Sequence, residues 1–232
     1  MSEHDHPHPH RADHARHAHN AAKGHHGHQQ DRGIGGFLRY LRLLPRMWRS
    51  EVNREVVRTL APANGECVVD LGAGMGAATV VAARTGATVL AVDPTPYMRG
   101  ILRLRRRVQR RGEAIRVVDG AAESIPVADG SVDALWTVNT IHHWTERDQA
   151  SRELARVMKP GGRVLLMDED FDDPSHPEHE RWRAGHERHG HVFDDVDAEA
   201  VAASLTRAGF ASAEGTRTTI AGRPAKVVRA TR

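Results

Sequence analysis

The stretch Val68-Val69-Asp70-Leu71-Gly72-Ala73-Gly74-Met75-Gly76 decides the fold of this chain of 232 residues. Its first half is a short apolar run of strand-forming residues, which is typical of a strand buried in a parallel sheet. Its glycines permit a tight turn and a close approach of the backbone to a ligand. The small apolar residues that follow predict a helix. A ligand over this turn would meet free backbone amides at the start of that helix.

A second strand is predicted at Thr88–Val92, and it ends in Asp93, about 20 residues after Gly72. An acid at this place can accept hydrogen bonds from both hydroxyls of a ribose. Dinucleotide dehydrogenases and S-adenosylmethionine methyltransferases both use this arrangement. The third glycine of the dinucleotide fingerprint would fall at Ala77, which disfavours the dehydrogenases. Asp70 favours the methyltransferases, because a carboxylate suits a cationic ligand better than a pyrophosphate.

The chain thus resembles the class I S-adenosylmethionine-dependent methyltransferases, in the broad group that includes ubiquinone-biosynthesis enzymes. The resemblance runs from about Glu66 to Glu169. It includes the turn Lys159-Pro160-Gly161-Gly162 between a helix and a strand, which has no counterpart in the dehydrogenase fingerprint. The resemblance implies an α/β fold with a doubly wound, seven-stranded, mostly parallel sheet and an antiparallel C-terminal edge hairpin.

The resemblance also implies a site for S-adenosylmethionine at the carboxyl ends of the strands. The residues expected there are Asp70, Gly72, Ala73, Gly74, Gly76, Asp93, Pro94, Ala121, Ala122 and Asn139. Relatives usually carry an aspartate for the adenine amino group at the position of Ala121. We therefore expect the backbone of Ala121 and Ala122 to bind the adenine, unless Asp119 replaces the missing side chain after a local shift.

The acceptor side is predicted where the strand Val132–Val138 runs out into Asn139-Thr140-Ile141-His142-His143-Trp144. Strand ends in a doubly wound sheet face the ligand crevice, so a histidine here could act as a general base. His143 is favoured over His142 because it lies further beyond the strand end. A pocket wall without proton transfer is an equally weighted alternative. The expected reaction is methyl transfer to a small-molecule acceptor by in-line displacement.

Two segments flank this core. Residues 33–61 are predicted to form lid helices over the cofactor pocket, with a basic helix lying on an anionic membrane as the weaker alternative. Residues 170–197 form an acidic and histidine-rich insertion that should shape the acceptor pocket. The methyltransferase domain is accordingly expected to span residues 33–232.

Residues 1–32 have a different composition, since ten of the 17 histidines lie there. Proline and glycine interrupt the segment, and a disordered tail is predicted. Closely spaced imidazoles, beginning with His4, His6, His8 and His10, could bind zinc or nickel, incidentally or as a function. One alternative function is therefore a non-catalytic metal-binding protein on a methyltransferase scaffold. A nucleotide-dependent oxidoreductase is a less favoured alternative.

The composition limits the expected partners and location of the protein. The net charge of +3, with histidines neutral, does not by itself indicate a nucleic-acid partner. The single cysteine, and the absence of an apolar run of membrane-spanning length, predict a cytoplasmic protein without stable membrane insertion. The oligomeric state is left open. An arginine-rich helix is predicted from Tyr97 to about Arg111, with a basic face and a buried side. The basic face is expected to be solvated, and an RNA-binding stripe is the weaker alternative. The residues expected on that buried side are Ile101, Leu102, Leu104 and Val108.

Overall fold

The computed structural model describes residues 50–189 and 196–232, and these contain one seven-stranded sheet flanked by helices. The strands are β1 (Cys67–Leu71), β2 (Thr88–Val92), β3 (Ile115–Val118), β4 (Val132–Val138), β5 (Met158–Glu169), β6 (Ser212–Ile220) and β7 (Arg223–Thr231). The helices are α1 (Glu51–Leu60), α2 (Ala77–Ala83), α3 (Pro96–Arg106), α4 (Arg147–Val157), α5 (His179–His189) and α6 (Ala198–Arg207). The tail 1–32 and most of the predicted lid lie outside the described residues.

The strand order is β3-β2-β1-β4-β5-β7-β6. Strands β1 to β5 pair in parallel, whereas β7 pairs antiparallel with both β5 and β6. This order confirms the predicted doubly wound sheet and its antiparallel edge hairpin. The order reverses between β1 and β4, and ligands of such sheets bind outside the strand ends at this reversal.

The two faces of the sheet carry separate apolar cores. Because side chains alternate along a strand, Val69 and Leu71 of β1 join one core and Val68 joins the other. The first core includes Leu154 of α4 and Leu205 of α6. The second is covered by α1, α2 and α3, which contribute several fully buried aliphatic side chains. Helices on both faces bury β1 from Val68 to Leu71 and fix its carboxyl end at the crevice.

The arginine-rich helix differs from its prediction. Helix α3 ends at Arg106, and both Leu104 and Val108 are strongly exposed, so their predicted burial is wrong. Arg99 and Arg105, by contrast, are buried. Arg105 Nη1 donates to the carbonyl oxygen of Met75 over 2.8 Å. Such guanidinium groups satisfy the carbonyls of neighbouring loops while their stems pack in the core, which hydrophobic patterning alone does not reveal.

The C-terminal part of the sheet agrees with its prediction in kind and differs in extent. Strand β5 begins at Met158 and includes the predicted Lys-Pro-Gly-Gly turn, because Met158 pairs with Val132 before a register shift. Strands β6 and β7 are joined through Ala221 and Gly222, both at positive φ. Positive φ at two adjacent residues is the geometry that tight hairpins favour. No helix in residues 50–189 and 196–232 has the length and apolarity needed to cross a bilayer.

Candidate cofactor and acceptor site

The glycine turn after β1 uses its three glycines for different purposes. Gly72, Gly74 and Gly76 have φ values of 73°, 51° and 79°. A Cβ on Gly72 would lie 2.2 Å from Thr140, and one on Gly76 would lie 2.2 Å from Leu102. Apart from Gly74 and its two chain neighbours, no described residue has an atom within 4 Å of the place where a Cβ on Gly74 would stand. Gly72 and Gly76 therefore allow close packing, whereas Gly74 faces open space at the crevice.

The amides of this turn already have partners. Gly72 and Ala73 donate to the carbonyl of Val92 over 2.8 and 3.0 Å, and Gly76 donates to the carbonyl of Ala73 over 2.8 Å. The Gly74 amide donates to Asp93 Oδ2 over 2.7 Å. These four amides are therefore not available to a ligand, and the free amides expected at the start of α2 would have to come from Ala77 onward. The turn is tied to β2, and its backbone is shaped in advance of any ligand.

Asp93 links the turn to the end of β2. Its Oδ2 accepts from Gly74, and its Oδ1 accepts from the Thr95 amide over 2.8 Å. Burial raises the pKa of this carboxyl, and the two amides oppose that rise. Each carboxylate oxygen has a second lone pair, so Asp93 can still accept from a ligand hydroxyl. Pro94, the next residue, is exposed.

Asp70 lies beneath the turn rather than in the open crevice. It is 3% exposed, and Thr79 Oγ1 of α2 donates to its Oδ2 over 2.5 Å. Burial raises the pKa of Asp70 to about 7, against the opposing effect of the Thr79 hydrogen bond. Asp70 therefore carries a negative charge below the turn above about pH 7 and is neutral below that pH.

The loop after β3 is closed on itself. The Ala121 amide donates to the Ser124 carbonyl over 3.2 Å, and the Ser124 amide returns a bond of 3.1 Å. Asp119 is mostly exposed and pairs with Arg99 Nη1 at 2.9 Å. The Ala121 backbone is therefore engaged within its turn, and the Asp119 carboxylate within an ion pair. Ala122 is buried beside them.

On the acceptor side, one buried carboxylate organises the exit from β4. Asp168, near the end of β5, accepts from the amides of Thr140, Ile141 and His142 over 2.9, 3.2 and 3.1 Å. Its Oδ2 also lies 2.6 Å from Nδ1 of His142. Since Asp168 serves as the acceptor, Nδ1 carries the proton, and the basic lone pair of the neutral imidazole is on Nε2. Asp168 thus fixes both the loop and the orientation of one histidine.

The two candidate histidines differ in their surroundings. The His142 side chain is 17% exposed and is held by Asp168, whereas His143 is exposed. Their ring centroids lie 4.0 Å apart. The sequence favours His143, whereas the orienting carboxylate binds His142. Local sequence patterns do not reveal this contact, because it requires residues just beyond β4 to meet residues at the end of the neighbouring β5.

A second network, centred on Glu169, holds Asn139. Asn139 has a φ of 56°, which is uncommon for a residue other than glycine. Its Nδ2 donates to Glu169 Oε1 over 2.9 Å, and its Oδ1 accepts from the Glu169 amide over 2.7 Å. The side chain expected to contact the cofactor is therefore bonded to β5. Glu169 Oε2 in turn meets His176 Nε2 at 3.0 Å and Arg223 Nη1 at 2.8 Å.

The Glu169 network connects four parts of the chain: the exit of β4, the end of β5, the insertion and the β6–β7 hairpin. Burial raises the pKa of Glu169, but its hydrogen bonds with Asn139, Arg223 and His176 outweigh that effect and leave the pKa below its ordinary value. The Glu178 amide donates to Nδ1 of His176 over 3.1 Å, so the proton of the neutral ring lies on Nε2. A charged Glu169 therefore ties the acceptor-side segments to the loop that carries His142.

Within residues 50–189 and 196–232, no group of three or more histidine, cysteine, aspartate or glutamate side chains is arranged to hold a metal ion. The tail histidines proposed as ligands, His4, His6, His8 and His10, lie outside the described residues.

Residues 69–166, which include the end of β1, the glycine turn and most of β5, match the family described as "Methyltransferase domain". Residues 69–166 therefore form a methyltransferase domain. The resemblance inferred from sequence is thereby confirmed. The alternatives of a non-catalytic metal-binding protein and an oxidoreductase receive no support from the comparisons.

Several curated methyltransferases are similar over this domain. The ubiquinone/menaquinone biosynthesis C-methyltransferase UbiE of Rubrivivax gelatinosus is 37% identical over 131 residues, which are 56% of this chain and 47% of that protein. An uncharacterized methyltransferase of Mycobacterium tuberculosis is 40% identical over 113 residues, or 49% of this chain and 44% of the relative. The demethylmenaquinone methyltransferase of Clavibacter sepedonicus is 33% identical, covering 56% of this chain and 50% of the relative. The match therefore spans about half the length of each relative.

Solved structures agree on the fold. A SAM-dependent methyltransferase from Aquifex aeolicus aligns with a TM-score of 0.59 at 21% identity, covering 79% of this chain and 92% of that one. The YcgJ protein from Bacillus subtilis aligns with a TM-score of 0.61 at 18% identity, covering 78% and 97%. At these identities the likeness concerns the arrangement of helices and strands.

Proposed function

We propose that this protein transfers a methyl group from S-adenosylmethionine to a small-molecule acceptor. The observation that carries the proposal is the pairing of Gly74 with Asp93 at the end of β2. Gly74 leaves open space at the crevice, and its amide positions a carboxylate that retains lone pairs for ribose hydroxyls. The residues present therefore fit the cofactor that the family implies.

The proposed roles follow from these positions. When bound, S-adenosylmethionine supplies an electrophilic methyl group on a sulfonium, which an acceptor nucleophile takes by in-line displacement. Asp93 accepts from the ribose, Gly74 permits the close approach, and Asp70 supplies negative charge below the turn. Gly72, Ala73 and Gly76 shape the turn without donating to the ligand, and the neighbouring loops wall the site. These further cofactor-side residues are Pro94, Ala121, Ala122 and Asn139.

The amides of the turn also argue for this cofactor over a dinucleotide. A pyrophosphate on a glycine turn is bound by backbone donors. Four amides of the present turn are bonded to Val92, Asp93 and Ala73. A cationic ligand needs no such donors and benefits from the two nearby carboxyls.

For the acceptor side we propose His142 as the general base and His143 as part of the pocket wall. Asp168 orients the His142 ring through Nδ1, which leaves Nε2 as the atom that takes a proton. A base is needed only where the acceptor carries an acidic proton, as a hydroxyl or an activated carbon does. The names of two relatives, UbiE and demethylmenaquinone methyltransferase, also concern quinone biosynthesis. We therefore favour an acidic hydroxyl or carbon acceptor over an amine.

The cofactor assignment is tested by calorimetry of the purified chain with S-adenosylmethionine and with NAD. Binding of the first alone supports the proposal, whereas binding of NAD alone would overturn it. Labelled S-adenosylmethionine and a panel of phenols, quinols and amines then identify the acceptor class. We also propose a cytoplasmic location, on the basis of the single cysteine in the sequence.

A further inference from the structure

The edge of the sheet formed by α3 and β3 carries an unusual surface. Leu104 and Val108 are 66% and 79% exposed, and they are the large hydrophobic side chains that stand out in solvent among residues 50–189 and 196–232. The Arg107 amide donates to the Leu104 carbonyl, and the Val108 amide to the Arg105 carbonyl, so helical turns continue past the end of α3. Leu104 lies in the last turn of α3 and Val108 in the turn that follows, so both stand at the same end of the helix.

Arginines surround these two aliphatic side chains. Seven of the 14 residues from Arg103 to Arg116 are arginine, and Glu113 is the one acid among them. The exposed members are Arg103, Arg107, Arg110 and Arg116. Arg84, also exposed, joins them from the end of α2, since its Nη2 donates to Gln109 Oε1 over 3.2 Å. We call these five arginines with Leu104 and Val108 the basic edge.

The charges of the basic edge are not balanced within the fold. In the part of the chain that the structure describes, none of its five arginines forms an ion pair with a carboxylate. Other surface arginines behave differently, since Arg54 pairs with Glu51 and Arg58 with Glu55, at 2.5 and 2.6 Å. The basic edge is thus a local concentration of uncompensated positive charge with an apolar centre.

We propose that the basic edge is a peripheral docking surface for anionic phospholipid membranes. Each arginine near an anionic bilayer is attracted by the negative surface potential of the lipids. Exposed aliphatic side chains in their midst can enter the boundary between headgroups and acyl chains, which supplies the second signal that stable attachment requires. A nucleic acid fits the surface less well, because residues 103–116 contain no aromatic side chain on which bases could stack.

The test is cosedimentation of the full chain with vesicles at neutral pH, where the tail histidines are largely uncharged. One set of vesicles is pure phosphatidylcholine and the other contains equal parts phosphatidylcholine and phosphatidylglycerol. The chain should bind the mixed vesicles and not the neutral ones, and added salt should weaken binding. Equal binding to both sets, or to neither, would overturn the proposal.

Three double variants separate the basic edge from net charge. Leu104→Ser with Val108→Ser, and Arg107→Gln with Arg110→Gln, should each lower vesicle affinity roughly tenfold. Arg54→Gln with Arg58→Gln removes the same charge from α1 and should leave affinity near that of the unchanged chain. All four affected positions at the basic edge are exposed, so unchanged melting curves are expected.

Two results would contradict this assignment. Equal losses of vesicle affinity in the Arg107/Arg110 and Arg54/Arg58 double variants would show that binding follows net charge alone. Displacement of the chain from vesicles by a single-stranded RNA, with tighter binding to that RNA than to lipid, would assign the basic edge to nucleic acid.

Discussion

The cofactor side and the acceptor side of the crevice are built in different ways. On the cofactor side, Asp93 bonds Gly74 and Thr95, all of which belong to β1, β2 and their loops. On the acceptor side, Asp168 and Glu169 of β5 hold the exit of β4, while His176 and Arg223 reach in from the insertion and the hairpin. The first is a local unit, and the second is an assembly of distant segments. We therefore expect cofactor binding to survive changes that disable the acceptor side.

The largest expected effect concerns Gly74. Gly74→Val should abolish detectable binding of S-adenosylmethionine, because a branched side chain would fill the open space and disfavour the φ of 51°. Titration calorimetry measures the binding and circular dichroism the fold. Gly130→Val is a matched control, since Gly130 has a φ of 56° and equally open surroundings in the turn before β4. Loss of binding in both variants would show that backbone strain, rather than the site, is responsible.

The next effect lies on the acceptor side. His142→Asn should lower the rate of methyl transfer by roughly 10²–10⁴, and the loss should shrink at high pH, where the acceptor ionises unaided. His143→Asn should alter mainly the acceptor KM and leave the pH profile unchanged. Steady-state rates across pH, with an acceptor found by the labelled screen, distinguish the two residues. A larger rate loss in His143→Asn than in His142→Asn would show that His143 is the general base.

The outcome for these histidines illustrates what local sequence can predict. The strands, the glycine turn and Asp93 follow from short patterns, because their partners lie in the same βαβ unit. The bond from Asp168 to His142 requires β4 and β5 to be neighbours, and the Glu169 network requires the insertion and hairpin as well. Long-range contacts of this kind leave no periodic signal in the chain. For the same reason, hydrophobic spacing placed Leu104 inside, whereas buried arginine stems occupy the neighbouring positions.

Asp93→Ala should weaken S-adenosylmethionine binding by about 2–4 kcal/mol, because a charged acceptor is lost. Part of that loss would come from the turn, since Gly74 and Thr95 lose their acceptor too. Asp93→Asn keeps one carbonyl oxygen, so its affinity for S-adenosylmethionine should lie between those of the unchanged chain and Asp93→Ala. A folded Asp93→Ala variant with unchanged affinity would contradict the role assigned to this residue.

A smaller effect concerns pH. Burial raises the pKa of Asp70 to about 7, so its negative charge is present above that pH and lost below it. Affinity for the cationic cofactor should therefore fall by up to about tenfold per pH unit below about 7. Since the raised pKa favours the protonated carboxyl in the folded state, stability without cofactor should decline as the pH rises from 3.8 towards 7. Asp70→Asn should remove both dependences, and their persistence would assign them to another group.

The smallest effect on methyl transfer is expected from the tail. Deleting residues 1–32 should remove most zinc and nickel binding, whose affinity falls as imidazoles take up protons below about pH 6.5. Cofactor affinity and transfer rate should change little, because the tail has few apolar residues with which to pack on the domain. Metal titration and rate measurements in metal-free buffer check both parts. A truncated chain without activity there would place the tail within the enzyme.

The separation of the two sides is tested most directly by titrating S-adenosylmethionine into Gly74→Val and His142→Asn side by side with the unchanged chain. We expect His142→Asn to bind the cofactor with the affinity of the unchanged chain, and Gly74→Val to show no binding while it remains folded. Normal binding by Gly74→Val would place the cofactor elsewhere. Loss of binding in a folded His142→Asn would show that this histidine faces the cofactor and that the two sides form one unit.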